Sequence, residues 1–320
     1  MGLNKRNEPS SFQIFVEFLS YSVVKLMHVL QQILYGFFGQ AKNANLIKLS
    51  DEITRLVAEE ASSKPVQSIE RKSLISVIIP TYNEEASIES TINSVYGSCG
   101  DDGKFLEIII SDGGSTDKTI AVCQKISISC KNCSRFHIST GGTNRSESQN
   151  IGAKDSTGNI LLFLHADSIL PSNWMQHVWG GMNEKKNLAG CFKFQLFLSD
   201  DSDSSNKGIS TFSKLVQHSW RKLCIWAIET GTNIRSLYFS LPYGDQALFF
   251  RREIFLECFQ GFPSAIFMED YDLIKSIRKY GKIVTVNAAV KTSARRWEKN
   301  GFFWNTFLNQ VFLPLHFNST

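Results

Sequence analysis

Ser76-Val77-Ile78-Ile79-Pro80-Thr81-Tyr82-Asn83-Glu84-Glu85 decides how the rest of this chain is read. The apolar run Ile75–Ile79 is interrupted by one serine and does not alternate, as expected for a strand buried on both faces. It ends at Pro80, and Asn83 is placed to cap a helix whose apolar positions Ile88, Ile92 and Val95 recur at helical spacing. Working outward, the strand–helix alternation continues. Ile108–Ile110 reads as a second strand, followed by a Gly-Gly turn and a helix opening near Asp117. Phe136–Ser139 reads as a third strand, Asn150 to Asp155 as helix, and Ile160–Leu164 as a fourth strand. This order predicts an α/β fold with a mostly parallel central sheet and right-handed crossovers, flanked by helices. Farther on, Ala189–Leu198 reads as a strand and Ser199–Lys207 as a polar, solvated loop. Ile209–Leu237 reads as a helix, and Glu269–Tyr280 as a helix stopped by a left-handed Gly281. Ile283–Val290 is the last strand expected.

Three aspartates stand where such elements hand over to polar residues. Asp112 follows Glu107-Ile108-Ile109-Ile110-Ser111. Asp167 closes Leu161-Leu162-Phe163-Leu164-His165-Ala166, and Asp270 lies in Met268-Glu269-Asp270-Tyr271. The C-terminal ends of parallel strands line one crevice, where ligands bind. Carboxylates gathered there can hold a metal, orient a sugar or base, and accept a proton. The combination points to chemistry on a nucleotide-bound phosphate ester.

Composition bounds the alternatives. At 320 residues, with 42% hydrophobic and 20% charged residues, the chain suits one large or two small globular domains. Mean hydropathy of −0.12 argues against a polytopic membrane protein. A net charge of +4 is compatible with anionic lipid or a nucleotide sugar, but far from the basic stripe of a nucleic-acid binder. Seven cysteines form no small-domain framework, so a reducing compartment is expected. Cys130-x-x-Cys133, with Cys123 nearby, offers half a zinc site at most, and reads more simply as reduced thiols in a surface loop.

The pair of blocks Ser76–Glu85 and Ser111-Asp112-Gly113-Gly114-Ser115-Thr116-Asp117 resembles the family 2 glycosyltransferases, which have the GT-A nucleotide-diphosphosugar fold. The resemblance covers about residues 74–300. It implies that Pro80, Tyr82, Glu84 and Asp112 hold the nucleoside, with Asp117 capping the next helix instead. His165-Ala166-Asp167 stands where the family has an Asp-x-Asp metal motif. Asp167 is then the implied ligand of a divalent metal, Mn or Mg. His165 replaces the first acid and either ligates as well, touches the nucleotide, or sits hydrogen-bonded in the cleft. Glu269-Asp270 resembles the family's acidic pair, which implies Asp270 as the base that deprotonates a hydroxyl acceptor, with Glu269 as alternative or helper. Arg145, Gln149 and Asn150 precede the metal strand, and Arg145 is the best suited of them to donor phosphate. Tyr243–Arg252 and Thr292-Ser293-Ala294-Arg295-Arg296-Trp297 look like a bacterial subgroup associated with radical-SAM and selenium-related genes. Arg296-Trp297 also resembles the Gln-x-x-Arg-Trp element of processive members, but Ser293 replaces the glutamine.

The resemblance thus implies a hexosyl-type, metal-dependent, inverting transfer from a nucleotide-diphosphate sugar to a hydroxyl, the acceptor being a lipid or glycan. Two rivals stay open. One is a nucleotidyltransferase, against which Thr81–Glu85 lacks Lys and Arg. The other is a non-catalytic nucleotide-sugar or scaffold module, which the His165 replacement favours. Domain limits are expected at 1–72 (polar tail, apolar helix, linker), 73–300 (catalytic) and 301–320 (apolar helix). Residues 1–11 are expected to be disordered. Phe12–Phe38 and Phe302–Phe317 are apolar but interrupted or short, so they suit interfacial helices better than spans. The expected location is the cytoplasm, at the cytosolic face of a membrane; no cleavable signal peptide is evident.

Overall fold

The computed structural model describes residues 72–197, 211–263, 269–295 and 297, with backbone alone for 211–220. The two apolar ends, the linker at 62–65, the acidic loop 199–207 and Arg296 lie outside the described residues. No helix among the described residues is long and apolar enough to cross a membrane. The described residues divide into two compact units. One carries the sheet, in 72–197 and 232–295; the other includes 211–231 and Trp297.

The sheet has eight strands: β1 Ile75–Thr81, β2 Leu106–Asp112, β3 Arg135–Thr140, β4 Ile160–Phe163, β5 Ser168–Ile169, β6 Asn187–Phe197, β7 Phe249–Arg251 and β8 Lys282–Ser293. Their spatial order is β3-β2-β1-β4-β7-β6-β8-β5. The half made of β3, β2, β1 and β4 is wholly parallel. The second half is mixed: β7 runs antiparallel to both β4 and β6, β6 and β8 pair in parallel, and β5 closes the edge antiparallel to β8. The helices are α1 Ile88–Tyr96, α2 Thr119–Ser127, α3 Arg145–Asp155, α4 Trp174–Met182, α5 Thr211–Phe239 and α6 Glu269–Ile277.

The parallel half follows directly from its sequence. Ile75, Val77 and Ile79 of β1 are fully buried with Ile88, Ile92 and Val95 of α1, and Ile108, Ile110 and Leu162 complete that layer. Each such side chain, fully buried, contributes roughly 1.5–3 kcal/mol. At the far end of β2, Glu107 is fully buried and accepts hydrogen bonds from Ser76 Oγ, Arg135 Nη1 at 2.8 Å and Thr157 N at 2.8 Å. Burial alone would raise its carboxyl, but these donors outweigh burial and hold it below the ordinary value.

Four expectations are corrected. Asn83 does not cap α1, whose N-cap is Ser87; it adopts φ 55° and its Oδ1 accepts from Thr116 N at 2.8 Å, tying the first loop to the second. Gly281 is not a left-handed stop. A Cβ there would collide with Leu188, so the glycine serves close packing. Cys123 and Cys130 are buried rather than in a surface loop, and burial pushes their thiols up to about 12 and about 11. Last, the helix expected from Asn150 begins earlier, at Arg145, as α3.

Candidate active site

The C-terminal ends of β1 and β4 and the N-terminus of α3 converge. A cleft of about 530 Å³ opens there, and Pro80, Tyr82, Glu84, Arg145, His165 and Asp167 all line it. Six residues singled out from sequence thus share one wall, though they come from three separate stretches. Tyr82 is 62% exposed, an unusual state for an aromatic ring at a strand end.

The α3 side of the cleft is a capped helix N-terminus. Asn144 caps the helix, its Oδ1 accepting from Glu147 N at 2.9 Å. Glu147 Oε2 in return accepts from Thr143 N at 2.7 Å and Thr143 Oγ1 at 2.8 Å. Gly142 has φ +93°, and a Cβ on it would stand 2.6 Å from Ser148 Oγ and 2.7 Å from Ser148 N, so only glycine lets the loop close onto the helix. The first-turn N–H groups of a helix and its dipole favour negative charge. Arg145 adds a guanidinium to that edge. Of its neighbours, Gln149 is buried, and Asn150 is committed elsewhere: its side chain clamps the backbone of Phe262, at 2.9 Å to the carbonyl and 2.8 Å from the N–H.

Asp112 lies just behind the cleft and is 3% exposed. Oδ2 accepts from Gly114 N at 3.0 Å and Ser115 N at 2.9 Å, while Oδ1 accepts from Ser115 Oγ at 2.6 Å and Thr81 Oγ1 at 3.2 Å. Its four acceptor positions are taken by its own turn and the neighbouring strand end. Gly113, not Asp112, faces the cleft. Asp117 stands one residue before Lys118, the N-cap of α2, and is not itself the cap expected; its Oδ1 accepts from Thr119 N at 2.9 Å and Thr119 Oγ1 at 2.5 Å.

Asp167 meets a residue that sequence reasoning did not single out. Arg295 Nη2 donates to Asp167 Oδ2 at 3.1 Å and to both oxygens of Glu84, at 3.1 and 2.8 Å. Burial pushes the Asp167 carboxyl above the ordinary range; Arg295 pulls it back in part and Glu84 adds to the rise. Burial works against the charge on Arg295 too, but its two carboxylate partners hold its pKa above the usual value. His165 faces the other way: its Nε2 lies 3.4 Å from Arg145 Nη1.

Arg145 links this wall to the acidic pair. Its Nε donates to Glu269 Oε1 at 3.1 Å, and Glu269 is buried. Asp270 is half-buried; Oδ2 accepts from Gly244 N, and Oδ1 from Tyr271 N at 2.8 Å. A Cβ built on Gly244 would lie 3.1 Å from Asp270 Oδ2 and 3.4 Å from His165 Nε2, which sets both side chains around one small gap. Neither acid of the pair lines the cleft itself. Arg296 is outside the described residues, and Trp297, which is buried, belongs to the other compact unit.

Among the described residues no three His, Cys, Asp or Glu side chains gather as a metal cage. A cation at a phosphate site can also be held by one or two carboxylates, with the rest of its shell from phosphate and water. Asp167, sharing a cation with Glu84, offers that kind of ligand set.

The Glycosyl transferase family 2 model matches residues 76–259, more than half of the chain. Among curated proteins the chain is similar to Glycosyltransferase AglE of Haloferax volcanii, with 30% identity over 102 residues, 32% of this chain and 33% of the relative. It is also similar to the GalNAc(5)-diNAcBac-PP-undecaprenol beta-1,3-glucosyltransferase of Campylobacter jejuni, with 30% identity over 110 residues, 34% of this chain and 35% of the relative. The chain thus spans about a third of the length of the curated relatives it matches. Among solved structures, mannosyltransferase PcManGT from Pyrobaculum calidifontis, in complex with GDP-Man and Mn²⁺, matches with a TM-score of 0.49 and 16% identity, covering 78% of this chain and 65% of that one. With its Asp167 cleft at the ends of a parallel β3-β2-β1-β4 half-sheet, the chain belongs to glycosyl transferase family 2 and has its GT-A fold.

Proposed function

We propose that this protein transfers a hexosyl group from a nucleotide-diphosphate sugar to a hydroxyl acceptor, with inversion and with help from a divalent cation. The observation that carries the reading is the convergence of Tyr82, Glu84, Arg145 and Asp167 on one cleft at the switch from β1 to β4. In an open α/β sheet that crevice is where a nucleotide sits.

The exposed ring of Tyr82 offers a face to the nucleobase, with Pro80 beside it. Asp112 serves the nucleoside through the Gly113-Gly114 turn it braces. The α3 N-terminus and Arg145 suit the diphosphate, one by backbone N–H groups and the other by a paired guanidinium. Asp167 would hold the metal, and His165, which lines the same cleft beside Arg145, would ligate it as well or contact phosphate. Bound there, the cation would neutralise charge growing on the leaving diphosphate, as a Lewis acid.

Asp270 is the base this arrangement favours. Glu269 is buried and paired with Arg145, whereas Asp270 is half-buried beside Gly244. Asp270 takes the proton of the acceptor hydroxyl as its oxygen attacks the anomeric carbon. The bond from that carbon to the diphosphate breaks in the same step, and the nucleoside diphosphate leaves with the electron pair. The acceptor class we infer is a lipid-linked glycan or lipid, since one similar protein is named a GalNAc(5)-diNAcBac-PP-undecaprenol beta-1,3-glucosyltransferase and others undecaprenyl-phosphate 4-deoxy-4-formamido-L-arabinose transferases. That chemistry would set the protein to work at the cytosolic face of a membrane.

Product analysis tests this reading. The expected products are a free nucleoside diphosphate and a glycoside whose anomeric configuration, read by NMR, is opposite to that of the donor. Release of pyrophosphate would instead mean a nucleotidyltransferase, and retained configuration would overturn the single displacement.

A further inference from the structure

Arg295 has no task in the reaction just described, yet it holds two of that reaction's carboxylates. The backbone beneath it is fixed. Ser293 N donates to Asp167 O at 3.2 Å and Ala294 N to Phe197 O at 2.9 Å, and Ala294 is fully buried. The side chain above that anchor is 46% exposed, and one nitrogen, Nη2, makes its contacts with both Glu84 and Asp167. It is a long flexible arm on a rigid base. Two carboxylates drawn together need positive charge between them, and a guanidinium supplies it. A divalent cation at Asp167 would meet the positive charge that Arg295 already places on Oδ2 of the same carboxylate.

Resting on the reading of Asp167 as metal ligand, we propose that Arg295 is an internal cation that competes with the divalent metal for Asp167. Donor loading moves it from the Glu84–Asp167 pair onto the donor diphosphate. Guanidinium forks suit phosphate as well as carboxylate, so the exchange replaces one charged pairing by another. A metal arriving alone must displace Arg295 with no new partner for it. A metal arriving with a diphosphate provides one. Metal and nucleotide therefore bind with positive coupling, and linkage makes that coupling equal in both directions.

The test is Mn²⁺ binding to the full chain, read as loss of the free-ion electron paramagnetic resonance signal, with and without UDP or GDP. Wild type, Arg295→Gln, Arg295→Lys and Asp167→Asn are compared. Without nucleotide, Arg295→Gln is expected to bind Mn²⁺ about tenfold tighter than wild type, the scale of one charge-assisted hydrogen bond lost by the competitor. The gain in Mn²⁺ affinity on adding UDP or GDP should shrink in the same variant. Arg295→Lys, which keeps the charge, should stay near wild type. Equal Mn²⁺ affinity in wild type and Arg295→Gln, with binding lost in Asp167→Asn, overturns the competition while leaving the metal site in place. Unchanged affinity in Asp167→Asn, or no binding by any variant, overturns the metal reading and the proposal with it.

Discussion

Glu269 and Asp270 are chain neighbours with opposite surroundings, and that difference predicts opposite phenotypes. Asp270→Asn should lower turnover by about 10²–10⁴-fold, the usual weight of a general base, while donor affinity measured by calorimetry stays close to wild type. Glu269→Gln should instead act through Arg145, loosening donor binding and lowering thermal stability more than it changes the chemical step. Equal losses of turnover in both variants, with donor affinity unchanged, would contradict the division of roles. The place of Asp167 at the cleft was legible in the sequence because it follows a strand end, whereas the acid pair falls outside the cleft lining. Arg295 was not legible: its partners Glu84 and Asp167 lie 211 and 128 residues away, and no local pattern announces a contact of that span. The motif reading fell on the adjacent Arg296-Trp297 instead.

The loop into α3 shows how an element makes a site from modest residues. Asn144, Glu147 and Thr143 cap each other, and Gly142 allows the backbone to close over Ser148. Gly142→Ala would force a non-glycine residue to φ +93° against backbone atoms of Ser148. The expected cost is about 1–3 kcal/mol in urea denaturation, with weakened binding of nucleoside diphosphate, since the N–H groups of the helix turn aside. An alanine variant as stable and as tight-binding as wild type would refute that role for the loop. Helix α3 itself was only half visible in sequence, read from Asn150 whereas it starts at Arg145, because its first turn is polar and carries no apolar period. The reading of Asn83 as a cap failed for a related reason. An Asx side chain bonds whichever backbone N–H is nearest, and here that is Thr116 in the neighbouring loop.

Across the whole molecule, the parallel half of the sheet was readable because buried central strands are continuous apolar runs. In the mixed half β6 and β8 were readable as strands but β5 and β7 were not, since two or three residues are too short to carry a period. The parallel half is also pinned by Glu107, whose carboxyl is held low by Ser76, Thr157 and Arg135 against the effect of burial. A depressed carboxyl stabilises the fold above its unfolded pKa, near 4.3 for glutamate, and that contribution is lost as pH falls through the lower folded value. Glu107→Gln should therefore cost about 2 kcal/mol at neutral pH. It should also flatten the acid limb of the stability–pH curve below about pH 4.3. An unchanged acid limb would refute this anchor.

The central claim is that the Asp167 cleft works on a nucleotide-diphosphate sugar with a metal. The most direct measurement is nucleoside diphosphate released from UDP-, GDP- and dTDP-sugars by wild type and Asp167→Asn, in Mn²⁺, Mg²⁺ or EDTA, with undecaprenyl-linked acceptors supplied. The account predicts release from one donor class that needs the metal and falls by about 100-fold or more in Asp167→Asn, since metal assistance is worth several kcal/mol. Release that persists in EDTA and in Asp167→Asn would contradict it.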